Sequence, residues 1–151
     1  HQGPGGGFRD VTDSSSAEGT NPTAAALALL SLSGPGEGDL VERAVTFLAR
    51  MQRADGGFAA SPDAPVADLL STFTALVSLT AFNAVGAVKL GAVGRFVRTL
   101  SLPAGGFGAH LGDPTADVEY TYYGIGTLAL LARQVAVSCP KNRPCACDQS
   151  S

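Results

Sequence analysis

Two aspartates stand at the same distance from a Gly-Gly-Phe triplet, with Asp68 ten residues after Phe58 and Asp117 ten residues after Phe107. Carboxylates that enter a cavity together can bind a metal ion or exchange protons with a substrate. They can equally accept hydrogen bonds from the first amides of a following helix, and their recurrence at one register favours this capping role. Glu119 lies two residues after Asp117 and is a third acidic candidate.

Aromatic side chains follow both aspartates within six residues, at Phe73, Tyr120, Tyr122 and Tyr123. Aromatic walls bind apolar chains and cations, so these four residues are candidates for a substrate-binding surface. They are also the residue types that pack between helices, and the sequence leaves both interpretations open. Arg133, near the end of the same apolar segment, is the candidate for holding an anionic group.

The triplet that sets this register occurs three times, with its phenylalanines at Phe8, Phe58 and Phe107. Spacings of 50 and 49 residues indicate a repeated supersecondary unit. The repeat extends beyond the triplet, because three later pairs align: Phe73 with Tyr122, Leu76 with Ile125, and Leu79 with Leu128. Paired glycines permit a sharp turn. A glutamine six residues before the first two phenylalanines could hydrogen-bond that turn, and Ser101 replaces it in the third unit.

Each unit is predicted to contain a helix, the glycine-rich turn and a second helix, which makes the fold all-α. The helices before the turns, about 39–52 and 85–100, are amphipathic and predict an outer layer with one wet face. The helices after the turns, 24–32, 69–82 and 120–132, carry no charge, which predicts an inner layer buried on both sides. Asn21-Pro22 is the expected cap and first turn of the first inner helix.

Composition sets outer limits on the function. A chain of 151 residues with a net charge of −3 suits one domain and gives no general reason to bind nucleic acid. The longest apolar run, 24–30, is too short to span a membrane, so no membrane span is expected. Without a visible signal peptide, and with no cysteine before the last thirteen residues, the default location is cytoplasmic.

The ends of the chain differ from its body. The repeats are predicted to occupy residues 1–137, and residues 138–151, with prolines and all the cysteines (Cys139, Cys145 and Cys147), are predicted to form a disordered tail. The chain starts at His1 and within a repeat, which predicts that the sequence is a fragment whose first outer helix lies upstream.

The segment Phe-Leu-x-x-x-Gln-x-x-x-Gly-x-Phe, from Phe47 to Phe58, resembles the QW-type repeat of the prenyltransferase and squalene-cyclase superfamily. The residues from Tyr120 to Leu131 look most like inner helices of protein prenyltransferase β subunits. The resemblance implies an α-α toroid, here a partial one, built from stacked helical hairpins of about 50 residues in inner and outer layers. It covers nearly everything from Gln2 to Ala132.

The resemblance also implies an activity, that of a transferase that handles an isoprenoid diphosphate, and a zinc cofactor. In the family, zinc is bound by an Asp-x-Cys and a later His on inner helices. The corresponding aspartates are Asp68 and Asp117, but Leu70 and Glu119 stand where the cysteine is expected. The zinc ligands of the family are therefore not matched, and the residues alone predict no metal site.

Two functions follow from the resemblance and its gaps. The first is a prenyltransferase-like or terpene-cyclase-like protein that handles an isoprenoid diphosphate, with Phe73 and the three tyrosines as its wall and Arg133 near the diphosphate. The alternative is a non-catalytic helical-repeat scaffold that binds a protein or lipid partner. Three units are expected to leave open edges, which predicts a partner subunit or a homo-oligomer.

Overall fold

The computed structural model describes residues 1–11, 16–32 and 38–138. In this part of the chain the α-helices are α1 (Thr20–Leu30), α2 (Gly38–Arg50), α3 (Leu69–Ala81), α4 (Leu90–Thr99) and α5 (Val118–Ser138), with a 3₁₀ turn at Val85–Ala87. The fold is mostly helical, but the expectation of an all-α chain was incomplete. A short antiparallel ribbon pairs β1 (Phe58–Ala59) with β2 (Ala67–Asp68), because the chain turns back on itself in the loop 60–66 before α3 begins.

The helices form two layers. In one layer α3 lies between α1 and α5, so the three helices that follow the glycine-rich turns are neighbours. In the other, α2 packs against α1 and α3, and α4 packs against α5. The main hydrophobic core fills the space between the layers, with Phe47 and Leu48 of α2, Leu76 of α3, and Phe96 and Val97 of α4 among its buried members.

The outer helices have the amphipathic character that the sequence predicts. In α2 the buried residues Ala44, Phe47 and Leu48 recur at helical spacing, while Glu42 and Arg43 are exposed. The second outer helix is shorter than expected: the predicted segment 85–100 divides into the 3₁₀ turn at Val85–Ala87 and then α4. Lys89, the residue before α4, donates its backbone N–H to Gln52 Oε1 of the preceding unit at 2.9 Å.

The prediction that every inner helix is buried on both sides was correct for α3 and wrong for α1 and α5. In α3 seven residues are buried, whereas α5 exposes 87% of Val118, 63% of Tyr122 and 59% of Ile125. In the described residues α1 and α5 have an inner-helix neighbour on one side only. An uncharged helix sequence shows that a helix can be buried, but it does not show how many neighbours bury it.

The three turns share a backbone geometry that requires glycine. Gly6, Gly56 and Gly105 have φ values of +94°, +99° and +95°, which L-residues rarely adopt. The expected glutamine contacts are confirmed. Gln52 Nε2 donates to the carbonyls of Gly56 and Lys89, each at 3.2 Å, and thereby ties the second turn to the start of α4.

Two further expectations can be compared with the described residues. The first inner helix begins at Thr20 with Gly19 as its N-cap, so the expected cap at Asn21 was wrong. Asn21 Oδ1 accepts a hydrogen bond from Thr74 Oγ1 at 2.7 Å and links α1 to α3 instead. Of the predicted tail 138–151, Ser138 is the last residue of α5, and residues 139–151, with all three cysteines, lie outside the described part.

Candidate aromatic binding site

The two aspartates that the repeat aligns are both bonded at the start of an inner helix. Asp68 is the last residue of β2 and caps α3, accepting hydrogen bonds from Ser71 N at 2.7 Å and Ser71 Oγ at 2.8 Å. Asp117 accepts one from Tyr120 N at 2.8 Å. These bonds satisfy backbone amides that the first helical turn leaves unpaired. Both aspartates therefore act as helix caps, which is the second of the two roles considered for them, the first being metal binding or proton transfer.

Four aromatic rings meet where α3 packs against α5. Phe73 of α3 lies 5.5 Å from Tyr122 and 5.3 Å from Tyr123, measured between ring centroids. Tyr123 in turn lies 5.6 Å from Tyr122 and 6.1 Å from Tyr120. These separations are in the range of favourable aromatic pairs, and most of the rings meet edge to face. We call Phe73, Tyr120, Tyr122 and Tyr123 the aromatic cluster.

A glycine in α5 makes room for this cluster. A Cβ atom at Gly126 would lie 2.7 Å from the Phe73 ring, closer than real Cβ atoms approach. The sequence shows Gly126 inside an uncharged helical segment, where glycine is otherwise unfavourable. A glycine at this unfavourable helical position is the sequence signal that could indicate a close contact such as that with the Phe73 ring.

The cluster combines an apolar body with a polar edge. Tyr123 Oη donates to Glu119 Oε1 at 2.6 Å, one helical turn earlier on α5. This hydrogen bond, with smaller contributions from burial and the Glu119 charge, raises the pKa of Tyr123 to about 12. Burial is also the main reason why the pKa of Tyr120 is raised. Both hydroxyls are therefore protonated at neutral pH and can act as hydrogen-bond donors.

The remaining candidate, Arg133, lies apart from the rings. It is exposed on α5, eleven residues after Tyr122. At 1.5 Å per residue and 3.6 residues per turn, this places it about 16 Å along the helix axis, on nearly the same face as Tyr122. An extended ligand could contact both, whereas a small ligand could not.

The described residues do not fit the zinc site that the resemblance implies. No group of three or more His, Cys, Asp or Glu side chains in the described ranges is placed to hold a metal ion. Asp68 and Asp117 are committed to helix amides, and Glu119 to Tyr123.

A second polar site, which the sequence reasoning missed, lies at the first turn. The Glu18 carboxylate accepts hydrogen bonds from Gly5 N and Gly7 N, each at 2.9 Å, beside a cleft of about 430 Å³. In the second turn Asp55 bonds the equivalent amide, Gly57 N, at 3.0 Å. Glu18 thus supplies from a neighbouring loop the carboxylate that the first turn lacks, and its role is structural.

Alternating inner and outer helices, joined by glycine-rich turns at a period near 50 residues, define a helical repeat protein of the toroid class. The family model of the prenyltransferase alpha-alpha toroid domain matches residues 2–146, and the chain belongs to that family. No match is found among curated proteins. In the described residues, none of the helices has the length and apolar character needed to cross a membrane.

Proposed function

We propose that this chain belongs to a prenyltransferase-like protein and binds an isoprenoid diphosphate through the aromatic cluster. The observation that carries the proposal is the cluster itself, since four partly exposed rings from two adjacent inner helices form a continuous aromatic surface. Polyene chains are apolar and polarisable, and such surfaces bind them without needing a charged partner.

The polar groups near the rings have supporting roles in this proposal. Arg133 is the candidate for the diphosphate because guanidinium groups bind phosphate oxygens through paired hydrogen bonds. The hydroxyls of Tyr120 and Tyr122 can donate to the same group if it lies at the other end of the cluster. Asp68 and Asp117 hold the helices that carry the rings and are positioning residues.

Intrinsic fluorescence gives a direct test. The chain has three tyrosines and no tryptophan, and all three tyrosines belong to the aromatic cluster, so tyrosine emission reports on the cluster alone. Titration with geranylgeranyl diphosphate should change this emission saturably. Geranylgeraniol and inorganic diphosphate serve as separate probes for the apolar chain and the charged head.

Two variants assign the contacts. We expect Tyr122→Ala to weaken binding about tenfold, since an aromatic contact contributes about 1 kcal/mol beyond its buried area. Arg133→Gln should weaken binding of the diphosphate and leave the alcohol unaffected. Leu111→Ala, at a residue that is 48% exposed in a loop, is the matched control and should change neither. Absence of saturable binding by the unmodified chain would disprove the proposal.

The second candidate function is a non-catalytic scaffold that binds a protein or lipid partner. It is favoured by the exposed apolar face of α5, where Val118, Tyr122 and Ile125 are each more than half exposed. Apolar side chains concentrated on one helix face mark interaction surfaces more often than isolated exposed residues do. Binding of a partner without any response to the three isoprenoid probes would favour this function.

A further inference from the structure

The inner layer has one face that stays open even where neighbouring helices flank it on both sides. Helix α3 packs against α1 and α5 within its own layer and against α2 in the other layer. Phe73 is nevertheless partly exposed, and Val77, about one helical turn later, is 40% exposed. These two residues therefore lie on the side of the layer that faces away from the outer helices, which we call the inner wall.

The inner wall continues along α5. The repeat aligns Phe73 of α3 with Tyr122 of α5. Steps of seven and then four residues lead from Tyr122 to Ala129 and Arg133, and both of these residues are exposed. Because seven residues make about two turns and eleven about three, all three side chains lie on nearly the same face of α5. Arg133 therefore belongs to the inner wall.

The charged residues of the inner helices stand at the two ends of this wall. In the described residues α1, α3 and α5 contain one acidic side chain, Glu119, and one basic side chain, Arg133. The two residues are fourteen positions apart on α5, which is about 21 Å along the helix axis. The aromatic cluster begins beside Glu119, and the helix surface between the rings and Arg133 is uncharged.

The end of the wall that carries Glu119 is unfavourable for an anion. Asp68 and Asp117 stand at the starts of α3 and α5, at this same end of the layer. Burial first, and then the charges of Asp68, Asp117 and Glu119, raise the pKa of Tyr120, so the field of these carboxylates reaches the rings. They would repel a diphosphate at this end, whereas Arg133 would attract it to the opposite end.

We propose that an isoprenoid diphosphate binds with its diphosphate at Arg133 and the far end of its hydrocarbon chain on the aromatic cluster, so that the span between them selects the length of the chain. The inference rests on the proposed function and adds a direction and a chain length to it. Arg133 is then a specificity-determining residue, because its position along α5 fixes where the hydrocarbon chain begins.

The span decides which isoprenoids can reach the rings. Tyr122 and Arg133 are separated by about 16 Å along the axis of α5. With carbon–carbon bonds of about 1.5 Å, an extended isoprene unit covers about 5 Å. Roughly three units therefore lie between the diphosphate and Tyr122, and a fourth is needed to cover the neighbouring rings of Phe73 and Tyr123. A geranyl chain, with two units, ends before the rings.

Titrations with geranyl, farnesyl and geranylgeranyl diphosphate test the chain length. We expect the dissociation constant to be at least about tenfold lower for the geranylgeranyl than for the geranyl compound, because the added units bury apolar surface against the rings. Tyrosine emission should respond to the geranylgeranyl compound and not to the geranyl compound, since all three tyrosines belong to the cluster. Isothermal titration calorimetry measures any binding that leaves this emission unchanged.

Moving the cation along α5 gives the sharper result. In Arg133→Gln/Ala129→Arg the guanidinium stands about one turn closer to the rings, at an exposed position of the same face. The preference should shift from the geranylgeranyl to the farnesyl compound, by about tenfold in the ratio of their dissociation constants. Arg133→Gln/Val135→Arg keeps the net charge but places the cation on another face of α5. This matched control should bind all three compounds as weakly as Arg133→Gln, without the shift.

The opposite direction of binding is tested at the other end of the wall. Glu119→Gln should change the affinities for geranylgeranyl diphosphate and geranylgeraniol by the same factor. If it strengthens binding of the diphosphate alone, the diphosphate lies beside Glu119 and the proposed direction is wrong. An unshifted preference in Arg133→Gln/Ala129→Arg would also overturn the inference and leave the proposed function intact. Absence of saturable binding of every compound would instead disprove the proposed function, and this inference with it.

Discussion

Helices α3 and α5 occupy equivalent places in two units, yet one is enclosed and the other is half open. Leu76 of α3 is fully buried between neighbours, whereas its counterpart Ile125 of α5 is 59% exposed. The same difference appears at the turns: a Cβ at Gly56 would meet Ala92 of α4, whereas a Cβ at Gly105 would meet no atom of the described residues within 4 Å. The comparison shows that the sequence of a repeat makes a helix face apolar enough to be buried. Whether that face is buried depends on the presence of a neighbouring unit.

The largest effect should come from truncating the two equivalent aliphatic residues. We expect Leu76→Ala to lower the free energy of unfolding by about 2–5 kcal/mol, because it leaves a cavity in the core. Ile125→Ala should lower it by less than about 1 kcal/mol in the monomer, since half of the side chain is already in water. Urea denaturation at low micromolar concentration measures both. Equal losses would show that α5 is as enclosed as α3.

The equivalent glycines of the second and third turns allow a second comparison of stability. Gly56→Ala and Gly105→Ala introduce a side chain at nearly the same positive φ, which costs about 1–2 kcal/mol in either turn. At Gly56 the new Cβ would also overlap the carbonyl oxygen of Ala92, so α4 must shift. We expect Gly56→Ala to be clearly more destabilising in thermal unfolding. The pair is its own control, and a larger loss at Gly105 would mean that the third turn is covered in solution.

Removal of the Gln52 side chain should have an intermediate effect on stability. Gln52 bonds Gly56 and Lys89 through its amide nitrogen, and its Oε1 accepts from Lys89 N at 2.9 Å. Gln52→Ala should cost about 1–2 kcal/mol of unfolding free energy, because partly exposed hydrogen bonds of this kind contribute about 1 kcal/mol net.

The reverse substitution in the third unit is the matched test. Ser101→Gln restores the side chain at a turn that has no adjacent outer helix within the described residues. It should change stability by less than about 0.5 kcal/mol, as expected of a surface substitution without partners. A stabilisation as large as the loss in Gln52→Ala would indicate that another helix covers this turn.

Much of this architecture could be predicted from the sequence, because the spacing of Phe8, Phe58 and Phe107 fixes the repeat and the uncharged segments mark the inner helices. The ring contacts could not, because the repeat aligns Phe73 with Tyr122 as equivalent positions and does not show that the two rings are neighbours. Contacts between units depend on how far one inner helix is shifted along its axis relative to the next. The spacing of the repeats does not determine this shift. Exposure of α5 was missed for a related reason: its composition matches that of buried α3.

The smallest predicted effect concerns a hydrogen bond that α5 has and α3 lacks. At the positions of Glu119 and Tyr123, α3 carries Leu70 and Thr74, so only α5 has this carboxylate–phenol pair. The pair raises the pKa of Tyr123 to about 12, above the value near 10 of an unfolded tyrosine. Its contribution to stability is therefore complete below pH 10 and is lost as the pH rises through about 12.

Absorbance of the phenolate at 295 nm follows this titration. In Glu119→Gln the highest tyrosine step should move down from about 12 towards 10, because the amide removes the negative charge and the strongest acceptor. Asp63→Asn, in the loop between β1 and β2, removes a carboxylate elsewhere and should leave the step in place. If the highest tyrosine pKa does not change in Glu119→Gln, burial of the rings and not the hydrogen bond raises the pKa of Tyr123. The start of α5 would then be more enclosed, as α3 is, than its exposed residues indicate.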